Sequence, residues 1–109
     1  MKRTRAFLPH TRSAARLLGS QVAVARRKRG WTATELAERV GVDRATIARI
    51  EKGDPTVGIG NVFDAAAILG VPLFTEDPVD VAREQSRIDT QLALLPARVR
   101  RVTEVNDDF

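Results

Sequence analysis

A chain of 109 residues, 43% hydrophobic and 29% charged, accommodates one small core and offers no apolar run near the roughly 18 residues of a membrane span. With no cysteine it excludes disulfides and fits a reducing cytoplasm, and its basic start lacks the apolar segment and cleavage site of a secretory signal. The net charge of +4 is lopsided, because residues 1–30 hold nine Lys or Arg and no acid whereas residues 54–109 hold five Arg against ten Asp or Glu. An oriented contact with a polyanion such as nucleic acid accounts for that asymmetry, and so does a solvated basic tail.

In chain order, residues 1–10 read as a disordered basic arm, since the apolar pair Phe7 and Leu8 precedes Pro9 without any period. Thr11 can cap a first helix in which Leu17, Leu18, Val22, Val24 and Ala25 recur at helical spacing, and Gly30 stops it after a basic last turn. Thr32 caps a second helix with Glu35 at capping-box spacing, and Leu36, Ala37 and Val40 form its inner stripe before Gly41. Asp43 caps a third helix over 44–52, closed by Gly53. The run "IGNVFDAAAILG" reads as a fourth, with Ile59, Val62, Phe63, Ala66 and Leu69 inward, ending at Gly70 before Pro72. Asp77 and Pro78 open a fifth helix that runs to Leu95, where Pro96 stops it. No β-rich segment interrupts this stretch, so the expected class is all-α, five helices with a C-terminal helix and tail as an extension.

The third helix has two faces. With Arg44 at zero and about 100° per residue, Ile47 and Ile50 fall near 300° and 240°, while Ala48, Ala45 and Arg49 fall near about 40°, 100° and 140°. The branched pair suits a core. The other face sets two guanidinium forks beside two small side chains, dimensions that suit a major groove about 12 Å wide. Taken alone, such a face is also what a solvated surface helix presents.

In context, "WTATELAERVGVDRATIARIEKG" places a capped helix, a Gly-Val turn and this probe helix in helix-turn-helix order. The motifs "LAERVGV", "ATIARIEKG" and "ILGVPL" resemble the phage-repressor, or Xre-type, helix-turn-helix family over about residues 17–74. The resemblance implies a lambda-repressor-like fold, with a DNA-binding domain over 11–75. It further implies that Arg44, Ala45, Thr46 and Arg49 touch base edges of double-stranded DNA, and that Thr32, Ala33, Lys52 and Asn61 touch phosphate. Gly58 and Gly60, opening the fourth helix, admit a phosphate or are merely permissive, and Asp43 joins the phosphate group through the amides of the helix it caps. Ala33 stands where the family commonly has Gln, and Asp43 where it has Ser or Thr, and both departures weaken the expected hold on phosphate. The same resemblance pairs Arg26 with Glu51 as a structural ion pair. Trp31 reads as a core plug between the first two helices rather than a stacking platform.

In the fifth helix, within 76–96, Val81, Ile88, Leu92 and Leu95 form a narrow seam, suited either to a homodimer on a palindromic operator or to docking on its own chain. The tail over 97–109 offers a short strand from Val99 to Val105 and an acidic end at Phe109, a candidate partner-binding segment. Basic arm, motif and acidic-aromatic tail together resemble HipB-type antitoxins, which implies an autoregulatory repressor with a HipA-like kinase toxin as partner. A stand-alone phage-type repressor, or an adaptor using the helix-turn-helix as scaffold, is the alternative. An enzyme is the weakest reading. The chain has one histidine, His10, and neither a Gly-rich loop with Lys nor ligands at metal spacing, so no catalytic residue, metal or cofactor is expected. Asp77, Asp80 and Glu84 occupy helix-start positions that capping explains. The expected location is the cytoplasm, at the nucleoid.

Overall fold

The computed structural model describes residues 6–99; the first five residues of the arm and the tail beyond Val99, with nearly all of its candidate strand, lie outside them. Five helices follow in order: α1 (Pro9–Lys28), α2 (Ala33–Val40), α3 (Arg44–Glu51), α4 (Ile59–Ile68) and α5 (Pro78–Leu94). Among the described residues an isolated bridge between Leu73 and Thr75 is the sole β feature, so the fold is all-α. The chain divides after Glu76 into two units.

The first helix begins earlier than its sequence suggests. Pro9 occupies the first turn, Leu8 is the N-cap without a side-chain hydrogen bond, and Thr11 lies inside the helix rather than capping it. Proline explains this, because its fixed φ and missing N–H suit the first helical position, where no donor is required. Residues 9 and 10 therefore belong to α1 and not to an arm. At the N-termini of α2 and α3 the side chains do the work: Thr32 and Glu35 close a reciprocal capping box on α2, and Asp43 accepts from the Thr46 amide at the start of α3.

The core is small and wholly apolar among the described residues. Val22 from α1, Leu36 and Ala37 from α2, Ile47 and Ile50 from α3, and Ala65 and Ala66 from α4 meet Leu69 and Val71 just beyond. Leu18 and Ala25 flank Val22 at spacings of four and three, which defines the inner stripe of α1. Leu17 and Val24, expected inside, lie about 100° off that stripe and are 63% and 52% exposed. Ile59, also expected inside, sits in the first turn of α4 and is 69% exposed. Ala65 takes its share of the interior, in step with Val62, Ala66 and Leu69.

The second unit is α5. Asp77 accepts from the Val79 amide at 2.9 Å, Pro78 fills the first position, and Leu95 is the C-cap. Along its apolar seam Val81, Leu92 and Leu95 are exposed and Ile88 is half-buried.

The tightest joint lies between α1 and the end of α3. A Cβ on Gly19 would sit 2.2 Å from the carbonyl oxygen of Ile50, and one on Gly53 would sit 2.6 Å from the Cα of Arg16. Gly53 also has φ +79°, ending α3 with its amide donated to Ile50 and the Asp54 amide to Arg49. Backbone meets backbone here, so nothing flexible can yield. Gly19→Ala is expected to destabilise the protein by about 1–3 kcal/mol through overpacking. Gly60→Ala, whose Cβ would meet open space, should cause no loss, and urea unfolding of the two variants makes the comparison.

Candidate nucleic-acid interface

Only Gly41, Val42 and Asp43 separate α2 from α3. Gly41 turns the chain with φ +87°, its amide and that of Val42 both donating to the Ala37 carbonyl, and Val42 packs against the core. α3 is then fixed along its length. Ile47 and Ile50 are 0% and 2% exposed, so the opposite side must face outward. Arg44, Ala45, Ala48 and Arg49 are all exposed on it, and Thr46 is half-buried.

The far end of α3 is held by an ion pair. Arg26 donates from Nε to Glu51 Oε2 at 2.6 Å and from Nη2 to Oε1 at 3.0 Å, while Nη1 donates to the Trp31 carbonyl at 2.8 Å. Both side chains are close to nine-tenths buried, at 12% and 13% exposure. The hydrogen bond to Glu51 raises the Arg26 pKa above its ordinary value, and the pair's attraction adds to it against the cost of burial. Trp31 is half-buried against the core, and its ring carries Arg39 at 4.0 Å and Arg29 at 5.1 Å. Two cations of the same chain therefore already lie over the ring.

The exposed face differs from the expectation of two free forks. Arg44 has no hydrogen-bond or ion-pair partner among the described residues, but Arg49 is turned onto its own chain, with Nε 2.9 Å from Asp54 Oδ2 and Nη2 2.8 Å from Thr56 Oγ1. Asp54 Oδ1 accepts from the Thr56 amide at 2.8 Å and its hydroxyl at 2.6 Å. These bonds, first from Thr56 and then from Arg49, lower the Asp54 pKa to about 2. Because the folded value is depressed, the ionised contact is complete above the ordinary carboxylate range and is lost only as pH falls through about 2. Thr46 is likewise occupied, its hydroxyl donating to Asp43 Oδ1 at 2.6 Å. That bond and the Thr46 amide hold the Asp43 pKa below its usual value.

The remaining positions surround α3 unevenly. Thr32 is engaged in its capping box, and Ala33 packs against the core, leaving only its backbone for an external partner. Lys52 caps the C-terminus of α3 in the open, and Asn61 is exposed in the first turn of α4. Gly58 precedes that turn with φ −57° and open space where a Cβ would be, so the fold does not itself require glycine there. Neither helical spacing nor the family motif points to Asp54 and Thr56; the signal for them is Asp-Pro-Thr after a helix-ending glycine, a turn in which an aspartate bonds two residues on.

Residues 22–75 match the helix-turn-helix family model. These residues form a helix-turn-helix domain. The HTH-type transcriptional regulator SutR of Escherichia coli (strain K12) is 33% identical over 61 residues, 56% of this chain and 34% of that protein. PF1851 of Pyrococcus furiosus, named provisionally as an HTH-type transcriptional regulatory protein, is 36% identical over 66 residues, 61% of this chain and 20% of its own length. The chain thus spans about a third or less of the relatives it matches. No solved structure matches it. Within the described residues of the helix-turn-helix chain, no helix is long and apolar enough to cross a membrane.

Glu51→Ala strands the Arg26 guanidinium between α1 and α3. It should destabilise the helix-turn-helix by about 3 kcal/mol, the lower end for a buried pair, because some solvent reaches both groups. Chemical denaturation of the variant against its parent reads this directly.

Proposed function

We propose that the chain is a sequence-specific, DNA-binding transcriptional repressor acting as a homodimer on a palindromic operator in the cytoplasm. One observation carries this reading: buried Ile47 and Ile50 turn outward, beside Ala45 and Ala48, the guanidinium of Arg44, which has no partner among the described residues. Small neighbours let the helix axis approach a groove, and an arginine fork matches O6 and N7 of guanine. Thr46 and Arg49 would complete the base-reading set. Lys52, Asn61 and the backbones at Thr32, Ala33, Asp43 and Gly58 would take phosphates, the amides of Arg44 and Ala45 lying beyond the Asp43 cap. Regulation is supported by the relatives, both named as HTH-type transcriptional regulators. The apolar seam of Val81, Ile88, Leu92 and Leu95 along α5 supports a two-fold partner.

The test is salt-dependent binding to a duplex selected from a randomised pool by the full chain. Two half-sites about 10 base pairs apart should emerge. Arg44→Ala should cost about 1–3 kcal/mol of discrimination at one base pair per half-site, while Lys52→Ala weakens all sequences alike and lowers the log-log salt slope by about 1. An adaptor would enrich no sequence.

The layout that resembles HipB-type antitoxins supports a narrower form of the same function, repression of the chain's own operon together with capture of a kinase-like toxin. Purification from the native host should then yield a co-eluting kinase-like protein. Elution alone would leave a stand-alone repressor.

A further inference from the structure

We propose that Asp54 determines specificity: with Thr56 it buttresses Arg49, so that the outer edge of that guanidinium is held ready to read one base pair. The inference rests on the DNA-reading function above. It begins from an oddity, an acid placed against one of the few exposed cations of the probe helix, on a face meant for a polyanion.

The geometry accounts for the acid. Arginine offers five N–H donors in a planar fork. Asp54 takes Nε and Thr56 takes one hydrogen of Nη2. Both lie toward one edge of the plane. Of the three hydrogens left without a partner among the described residues, one on Nη1 and the second on Nη2 form the end-on edge that can meet two acceptors of a guanine. The acceptors behind Arg49 are themselves fixed, because Asp54 Oδ1 is bonded to the amide and hydroxyl of Thr56 in the loop after α3. A long side chain ordered in advance loses less rotamer freedom when it binds. The arginine still reaches solvent, with 48% of its side chain exposed.

Asp54 would act in two opposite senses. Its charge repels every duplex equally, while its hydrogen bond favours only the duplex that Arg49 can read. The signature is therefore a ratio rather than an affinity. On the selected duplex, its single base-pair variants and an unrelated duplex, binding is compared for the parent, Arg49→Ala, Asp54→Asn and the double variant. Asp54→Asn should bind unrelated duplex more tightly than the parent. It should nonetheless lose about fivefold or more of discrimination at the base pair that Arg49→Ala also affects, and add nothing in the Arg49→Ala background. Asparagine keeps the loop's acceptor for Thr56, so the melting temperature should stay close to the parent's. Equal tightening on all duplexes would make Asp54 a repulsive charge only, and sharper discrimination would make it a latch that withholds Arg49; either overturns the buttress. If Arg49→Ala blurs one base pair and Asp54→Asn does not, the role of Asp54 falls alone. A pool that enriches nothing overturns the DNA-reading function and this role with it.

Discussion

The orientation of the probe helix depends on a single guanidinium. Arg26 joins three parts of the chain that are apart in sequence: its own position near the end of α1, the carbonyl of Trp31 just before α2, and the carboxylate of Glu51 in the last turn of α3. Apolar contacts from Ile47 and Ile50 bring α3 to the core and decide which side faces in but, being non-directional, do not set its tilt. A planar fork meeting a planar carboxylate does, because two parallel hydrogen bonds fix both distance and angle. The pair supplies geometry more than net stability, since its attraction has first to offset the desolvation of two charges.

The acids around α3 follow one pattern. Asp43 is engaged by Thr46 at the helix start, Glu51 by Arg26 at its end, and Asp54 by Thr56 and Arg49 in the loop beyond. Each negative charge is met within the chain. Of the cations on or beside the helix, Arg44 and Lys52 keep no partner among the described residues, while Arg29 and Arg39 lie over Trp31. Arg44 and Lys52 are thus the charges that residues 43–54 present unpaired at the surface, among the described residues. Pairing, more than the overall total of +4, decides where those charges lie.

Most of this architecture was legible before any coordinates. Caps are local chemistry, and Thr32, Asp43 and Asp77 all cap the helices that their spacing announces. Periodicity gave the outward face of α3 for the same reason, because a helix of eight residues with two isoleucines three apart has one way to bury them. Three things were less visible. Leu17, Val24 and Ile59 are as apolar as their buried neighbours, and only the helix neighbours they lack distinguish them. The Gly19 contact involves no side chain and leaves no period. The turning of Arg49 onto Asp54 spans five residues across a helix end, where neither helical nor strand spacing applies.

The joint between α1 and α3 also constrains how such a domain can change. Main-chain atoms of the two helices lie so near that there is no cushion of side chains whose trimming would let one helix pivot on the other. Under the proposed function, new targets could not arise by gradual tilting of α3. They would have to come from exchanging individual groups on a rigid frame, which makes divergence of recognition stepwise, one position at a time, and leaves the frame itself untouched.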